Sequence, residues 1–175
     1  MPLISILDHA LDCASKGYRI VPVRQNEKRP RILNWQNAAT DNPETITQWF
    51  TDFPDDNFGI LLTPDFAVFD IDPKNGGIEW LKTNPEIHER LLKSANIVQT
   101  PSGGFHFYFR RPDGITLTDR VGTIAPGVDF FCGGSTGRQV LAPPSCRDGR
   151  AYAYLVDGDE NTAINDLTPL SGKLL

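Results

Sequence analysis

Two aspartates interrupt and end one apolar run, residues 66–72, and this run constrains the fold more than any other part of the chain. Side chains alternate along a strand, so Asp70 and Asp72 share one face while Phe69 and Ile71 point into a core. Their Cα atoms would lie about 6.6 Å apart, where an effective dielectric near 20 leaves a repulsion of about 2.5 kcal/mol. A divalent cation removes that repulsion, and ligands that are all oxygen favour Mg²⁺ or Mn²⁺ over zinc. The alternative is a strand end that simply faces water.

A third carboxylate, Asp129, lies inside another short apolar run, residues 127–131. Acids rarely occupy such positions without a partner or a solvated groove. Adjacent strands are about 4.8 Å apart, so Asp129 can complete a three-acid site with Asp70 and Asp72. A pair of cations held by such acids suits phosphoryl displacement, because the cations stabilise the attacking and leaving oxygens.

Residues 100–109 form a glycine turn that runs into an aromatic strand. Gly103 and Gly104 permit backbone N–H groups to approach an anion closely, and Ser102 adds a hydroxyl donor. Strand alternation places His106 on the face opposite three phenylalanines that belong to a core. We therefore expect His106 in a groove, where it can donate to a triphosphate; the alternative is a structural histidine with satisfied hydrogen bonds.

The remaining pattern predicts one domain with a helical N-terminal flank and a β-rich second half. The 15 Gly and 14 Pro indicate many turns. Helices are predicted over residues 3–14, with a cap at Gly17, from Pro43 onward, and over residues 78–93 with a break at Pro85. The predicted strands are residues 18–23, 58–62, 66–71, 97–99, 105–109, 128–131, 139–142 and 152–156. Of these, 58–62 and 66–71 are predicted to form a tight strand pair.

Composition excludes several classes of protein. A chain of 175 residues with 17 Lys+Arg against 22 Asp+Glu has a formal charge of -5, which argues against strong non-specific duplex binding. The charge is segregated, however, and residues 16–31 are rich in Lys and Arg. No apolar run is long enough for a membrane span and the N-terminus is not a signal peptide, so a cytoplasmic location is expected. Cys13, Cys132 and Cys146 are an odd, widely spaced set, which predicts reduced thiols and no zinc site.

The order of these motifs resembles that of one known family. The motifs that carry the resemblance are Asp70-Ile71-Asp72, Ser102-Gly103-Gly104-Phe105-His106, Gly127-Val128-Asp129 and Ala142-Pro143-Pro144-Ser145. Together they resemble the bifunctional primase-polymerase (prim-pol) N-terminal domain of the archaeo-eukaryotic primase superfamily, found in phage and plasmid replication proteins. The resemblance covers about residues 5–160, and we interpret residues 1–175 as a single domain of this type.

The resemblance implies an α+β fold in which a modified RRM-like catalytic sheet packs with an N-terminal α/β unit. It implies a DNA primase and polymerase, a nucleotidyltransferase in which a 3′-hydroxyl attacks an α-phosphate and pyrophosphate leaves. The implied ligands of two Mg²⁺ or Mn²⁺ ions, which are also the implied catalytic residues, are Asp70, Asp72 and Asp129. The implied nucleotide-binding residues are Ser102, Gly103, Gly104 and His106. Lys28 and Arg138 are candidates to assist the triphosphate, with a simple solubility charge as the alternative for each.

The resemblance also implies partners. These are a single-stranded DNA template with its primer, an NTP or dNTP, and a C-terminal helicase domain in a larger replication protein of a bacterial or archaeal cell. No membrane partner is expected. The stretch from Phe130 to Leu141, which contains Gly133-Gly134-Ser135-Thr136-Gly137, is a few residues longer than in the family. Because a helical extension commonly helps such domains to grip DNA, we expect this chain to extend primers better than it starts them.

Two other functions remain open at this point. Pro64-Asp65 followed by Asp72-Pro73-Lys74 formally fits the PD-(D/E)xK pattern of metal-dependent DNA nucleases, in which two acids bind a metal and a lysine assists water. A non-catalytic nucleotide- or single-strand-binding module, whose aromatic residues stack on bases, is the second alternative. The nuclease pattern leaves Asp129 and His106 unexplained, and intact acids at all three motif positions argue against the module.

Overall fold

The computed structural model describes residues 5–133, 137–155 and 161–174. The start of the predicted N-terminal helix, the middle of the glycine-rich stretch 133–137 and residue 156 of the predicted last strand lie outside the described residues. The helices are α1 (Ile6–Ser15), α2 (Trp35–Ala38), α3 (Pro43–Asp52), α4 (Gly77–Thr83) and α5 (Pro85–Leu91). The strands are β1 (Arg19–Val23), β2 (Asn57–Leu61), β3 (Phe66–Ile71), β4 (Asn96–Gln99), β5 (Phe105–Arg110), β6 (Arg120–Ala125), β7 (Val128–Phe131), β8 (Gln139–Leu141), β9 (Cys146–Arg147), β10 (Arg150–Ala151) and β11 (Ala153–Tyr154).

The helix boundaries follow the local signals in the sequence. Ser5 and Asp8 form a capping box at the start of α1, and Gly17 follows its end with a φ of 94°. Asn42 caps α3 by accepting a hydrogen bond of 2.8 Å from the Thr45 N–H. The predicted break at Pro85 is confirmed, because Asn84 separates α4 from α5. Among the described parts of the chain, no helix has the length and apolar character needed to cross a bilayer.

Two antiparallel sheets and a small hairpin contain the strands. The larger sheet has six strands in the order β11-β4-β5-β3-β7-β6, the smaller has the order β1-β2-β8, and β9 pairs with β10. The predicted tight pairing of residues 58–62 with 66–71 is wrong, since β2 and β3 belong to different sheets. Both strands are buried almost throughout, so each is covered on two faces and the turn between them carries the chain from one sheet to the other.

Strand alternation divides the interior into two cores on either side of the six-stranded sheet. Phe66 and Val68 of β3 face the three-stranded sheet, which α1 and α3 also contact. Phe69 and Ile71 face the opposite side, where Leu81 and other apolar residues of α4 and α5 pack. This arrangement confirms the expected α+β class. It also places Asp70 on the inner face of the sheet, at the rim of the first core.

Candidate active site

Asp70 occupies the centre of the site because of the register of three strands. In the six-stranded sheet it lies directly opposite His106 of β5 on one side and Asp129 of β7 on the other. Side chains that face each other across an antiparallel pair have Cβ atoms about 5 Å apart and point to the same face. His106 is 36 residues and Asp129 is 59 residues from Asp70 along the chain, yet the three side chains form one polar row across the sheet.

His106 is the buried member of this row, and Asp70 and Asp129 are half-buried. The Nε2 of His106 lies 3.6 Å from Oδ1 of Asp70, an electrostatic contact that is longer than a hydrogen bond. Burial raises the pKa of Asp70, while His106 and Lys28 oppose that rise. Burial also lowers the pKa of His106, while the Asp70 carboxylate opposes that fall. The Nδ1 of His106 is buried and has no hydrogen-bond partner among the described residues.

Asp72 leaves the strand and caps the short 3-10 turn Pro73–Asn75. Its carboxylate accepts a hydrogen bond of 2.9 Å from the Lys74 N–H and one of 2.8 Å from the Asn75 side chain. Its own N–H donates to the Gly127 carbonyl at 2.8 Å, which ties the end of β3 to the turn before β7. A Cβ on Gly77 would lie 2.4 Å from that same carbonyl, so the two segments approach each other only because the position is glycine.

Asp129 takes a different partner. Its Oδ1 accepts a hydrogen bond of 2.7 Å from the Gly122 N–H in the irregular part of β6. In the parts of the chain that the structure describes, no three His, Cys, Asp or Glu side chains converge closely enough to hold a metal ion as they stand. The donor chemistry nevertheless fits Mg²⁺ or Mn²⁺, because Asp70, Asp72 and Asp129 offer only carboxylate oxygens and each carboxylate can accept about four hydrogen bonds or ligand contacts.

The backbone N–H groups of the glycine turn form hydrogen bonds within the turn, whereas the sequence predicts that they bind an anion. The Gly103 N–H donates to the Thr100 carbonyl at 2.9 Å, and the Gly104 N–H donates to the Thr100 hydroxyl at 3.0 Å. Both N–H groups are thus used inside the turn rather than directed at an anion. Backbone geometry explains why both positions are glycine. Gly103 has a φ of 85°, and a Cβ on Gly104 would lie 2.1 Å from the Ile71 carbonyl oxygen. Ser102 is exposed beside them.

A groove of about 430 Å³ opens over Asp70, Asp72 and His106. Ser102 and Lys28 line it as well, so five of the residues predicted from the sequence meet there. Gly103, Gly104 and Asp129 are not among the lining residues; Asp129 lies beyond Asp70, on the side away from His106. We call this space the catalytic groove.

Arg138 is, like Gly103 and Gly104, a predicted nucleotide-binding residue that does not line the catalytic groove. Its Nε donates to a carboxylate oxygen of Asp119 at 2.6 Å, and its guanidinium carbon lies 4.9 Å above the Phe131 ring. These contacts bind β7, the segment before β6 and the segment before β8 together. The position gives Arg138 a structural partner, and a contact with nucleotide remains a prediction.

The groove also contains basic residues that the sequence analysis did not assign to nucleotide binding. Arg147 and Arg150 line it from the hairpin of β9 and β10, and Lys74 lines it from the 3-10 turn. The hairpin turn is Asp148-Gly149, with φ values of 52° and 72°. Asp-Gly between two short strands is a strong sequence signal for such a turn, and it could have drawn attention to the arginines that flank it.

The hairpin and the loop that carries Lys28 support each other. The Asp148 N–H donates to the Asn26 side chain at 2.6 Å, and the Gln139 side chain donates to the Lys28 carbonyl at 2.8 Å. Tyr152, which follows the hairpin, lies with its ring centre 5.9 Å from that of His106. The walls of the groove therefore carry four basic residues and the acid Asp148, while Asp70 and Asp72 lie at its floor.

The fold is incompatible with the nuclease interpretation, in which Asp65 and Asp72 bind one metal ion. Asp65 precedes β3 and Asp72 follows it, so the whole six-residue strand separates them. At about 3.3 Å per residue, seven residue steps separate the two Cα atoms by about 23 Å, so the two acids cannot share a metal ion.

The sequence profile described as bifunctional DNA primase/polymerase, N-terminal (Prim-Pol) matches residues 10–170. The chain belongs to this family. No curated protein sequence matches the chain significantly. The match to the Prim-Pol family agrees with the resemblance in the motifs, and it spans both sheets and the catalytic groove of the domain. Family membership supports a DNA primase or polymerase that acts on DNA and nucleotide substrates.

Proposed function

We propose that this Prim-Pol domain catalyses template-directed nucleotidyl transfer in the catalytic groove, making or extending primers on single-stranded DNA. The observation that carries the proposal is the register of β5, β3 and β7, which aligns His106, Asp70 and Asp129 in one row. A row of two acids and a histidine beside a groove with basic walls suits a reaction in which a triphosphate must be bound next to its metal ions.

We assign the metal ligands to Asp70, Asp72 and Asp129, with two Mg²⁺ or Mn²⁺ ions as the implied cofactor. When bound, such ions stabilise the negative charge on the attacking and leaving oxygens. The Asp72 and Asp129 carboxylates accept hydrogen bonds from neighbouring N–H groups. Those bonds orient the carboxylates, and they leave lone pairs available to a cation.

The triphosphate is proposed to lie between the floor of the groove and its basic walls. Ser102 and His106 offer donors from the glycine turn and β5, and Lys28 offers an ammonium from the facing loop. Arg147 and Arg150 offer guanidinium groups, which can bind phosphate oxygens in a bidentate manner. In the reaction the 3′-oxygen of the primer forms a bond to the α-phosphorus, the bond to pyrophosphate breaks and the hydroxyl proton is released.

We further propose that the domain acts within a larger replication protein of phage or plasmid type that supplies a helicase. The basis is the motif order and the family match over residues 10–170. The substrates are a single-stranded template, a primer and an NTP or dNTP.

Incorporation of nucleotide on a primed single-stranded template, with Mg²⁺ or Mn²⁺, tests the proposal. Asp70→Asn and Asp129→Asn should each lower the rate by more than about 100-fold, because each removes a charged ligand. Asp65→Asn is the matched control, since this exposed acid lies at the other end of β3, and its rate should stay within about twofold of wild type. A wild-type chain that binds nucleotide in EDTA but neither starts nor extends a primer would be a binding module, and the proposal would be wrong.

A further inference from the structure

A second groove, with a volume of about 400 Å³, lies next to the catalytic groove and has no assigned role. Its lining combines the basic residues Arg24 and Arg29 with the apolar residues Leu33 and Trp35. The described residues that form its lining include no carboxylate. We call these four residues and the space between them the basic-apolar groove.

The basic-apolar groove shares one loop with the catalytic groove. The Arg24 N–H donates to the Arg29 carbonyl at 3.3 Å, which closes the base of this loop. Lys28, the residue before Arg29, lines the catalytic groove instead. The loop therefore contributes cationic side chains to both grooves, and Lys28 and Arg29, which line different grooves, are neighbours in sequence.

The charges of this groove are available to a ligand. Arg31 is engaged, because it forms a salt bridge with the buried Asp56 and lies over the Phe53 ring at 4.1 Å. Arg24 and Arg29, in contrast, are exposed and form no salt bridge with any described residue. Arg31 thus anchors the groove to the fold, and the two free guanidinium groups attract a polyanion.

The apolar residues of the groove favour a single strand over a duplex. The Leu33 side chain is 92% exposed, the highest value among the large apolar residues that the structure describes, and Trp35 beside it is only partly buried. Exposed apolar and aromatic surface next to arginines suits unstacked bases, which offer flat faces together with phosphates. A duplex presents mainly its phosphates, because its bases are stacked inside.

We infer that the basic-apolar groove binds single-stranded DNA, with phosphates at Arg24 and Arg29 and bases against Leu33 and Trp35. The assignment of that strand as the template for the catalytic groove rests on the proposed function. Binding of the strand itself does not, because it requires neither metal ions nor nucleotide.

Fluorescence anisotropy with a labelled oligothymidylate of about 20 nucleotides, in EDTA and at several salt concentrations, tests the inference. The double variant R24Q/R29Q should weaken binding at least about fivefold and reduce the slope of log K against log salt by about 1.4, since each contact with a single strand contributes about 0.7. K93Q/K173Q is the matched control. It makes the same change in net charge at two exposed lysines on the α5 side of the six-stranded sheet, and its affinity should stay within about twofold.

A second pair of variants separates the apolar contact from the charge. Leu33→Ser should weaken binding of the oligothymidylate about threefold or more without changing the salt slope, whereas duplex binding should not respond. Leu92→Ser, which alters a leucine that is 54% exposed after α5, is the control and should have no effect. Both side chains are exposed enough that neither substitution should unfold the chain.

The outcomes distinguish this inference from the proposed function. Equal single-strand affinities for R24Q/R29Q and K93Q/K173Q would overturn the inference, as would a wild-type chain that does not bind the oligothymidylate. If the arginine variant loses affinity but the wild-type chain incorporates no nucleotide, the groove binds single strands and the proposed function is wrong. If the wild-type chain incorporates nucleotide while R24Q/R29Q binds normally, the inference alone is wrong.

Discussion

Asp70 and His106 illustrate how burial and partners compete at a single pair of residues. Burial raises the pKa of Asp70 and lowers that of His106, so desolvation favours the neutral form of both groups. Their mutual attraction and the nearby Lys28 ammonium favour the ionised form of Asp70 instead. A bound cation would act on Asp70 in the same direction as Lys28, and a bound triphosphate would favour proton uptake by His106. The state of this pair is therefore set by what occupies the groove.

Gly104 is the residue whose replacement tests the packing beneath the groove. A Cβ at this position would lie 2.1 Å from the Ile71 carbonyl oxygen and 2.9 Å from Cδ of Pro73. Ile71 is held in register opposite Phe105, so its carbonyl cannot move away without disturbing the pairing of β3 with β5. Gly104→Ala should lower the free energy of unfolding by about 1–3 kcal/mol and also reduce nucleotide incorporation, because Ile71 lies between Asp70 and Asp72.

Urea denaturation followed by circular dichroism measures this change. Gly172→Ala is the control, since a Cβ there meets nothing within 4 Å, and its effect should stay within about 0.5 kcal/mol. If both variants unfolded at the same urea concentration, the close approach of Gly104 to Ile71 would not be a feature of the folded chain.

At the scale of elements, the hairpin of β9 and β10 is the part of the groove wall that is easiest to test. It brings Arg147 and Arg150 to the catalytic groove, and charge-assisted hydrogen bonds to phosphate contribute about 1.5–3 kcal/mol each. R147Q/R150Q should therefore raise KM for the nucleotide by about tenfold or more and change kcat less, if both arginines bind the triphosphate in the ground state. Steady-state kinetics with varied nucleotide concentration measures both constants.

The control for the hairpin is again K93Q/K173Q, which matches the change in net charge far from the groove. Its KM should equal that of the wild-type chain. An unchanged KM for R147Q/R150Q, or an equal rise in the control, would mean that the hairpin arginines do not bind nucleotide.

The elements predicted from the sequence are those with a strong apolar pattern. β3, β5 and β7 combine short apolar runs with alternation, and these strands also carry Asp70, His106 and Asp129. β6 was not predicted, because it is an exposed edge strand that has little apolar signal. The partner of β2 was predicted wrongly, because a strand that is buried on both faces gives no indication of which sheet contains it.

The strand alternation that predicts these elements also predicts which residues form the site. Period-two alternation identifies which side chains share a face, and the register across β3 then brings the acids and the histidine together. Contacts between residues that are distant in sequence were not predictable. The pairing of Arg138 with Asp119, and the hydrogen bonds that use the Gly103 and Gly104 N–H groups inside their turn, follow from the folded backbone rather than from residue type.

At the scale of the whole molecule, the positions of the charged residues bear on function more than the net charge does. The formal charge is -5, yet the basic-apolar groove has arginines and no carboxylate among its described lining residues. The catalytic groove contains both signs, with acids on its floor and lysine and arginine on its walls. Net charge therefore limits non-specific DNA affinity, which we expect to be weak and to fall with salt, without excluding a nucleic-acid substrate.

The six-stranded sheet is shared by two cores, and this predicts that the chain unfolds as one unit. Phe66 is fully buried in the core that also contains the three-stranded sheet, and its neighbour Phe69 is 4% exposed in the core beneath α4 and α5. Both phenylalanines belong to β3, which pairs with β5 and β7. Loss of either core would expose one face of the same strands, so neither core should remain folded without the other.

Phe66→Leu and Phe69→Leu test this coupling from the two sides of the sheet. Each substitution removes buried ring atoms and should lower the free energy of unfolding by about 1–2 kcal/mol. In each variant, near-UV and far-UV circular dichroism should show a single transition with coincident midpoints, shifted to lower urea concentration relative to wild type. Two separate transitions, with only one of them moved by each substitution, would show that the three-stranded unit and the helical side of the sheet unfold independently.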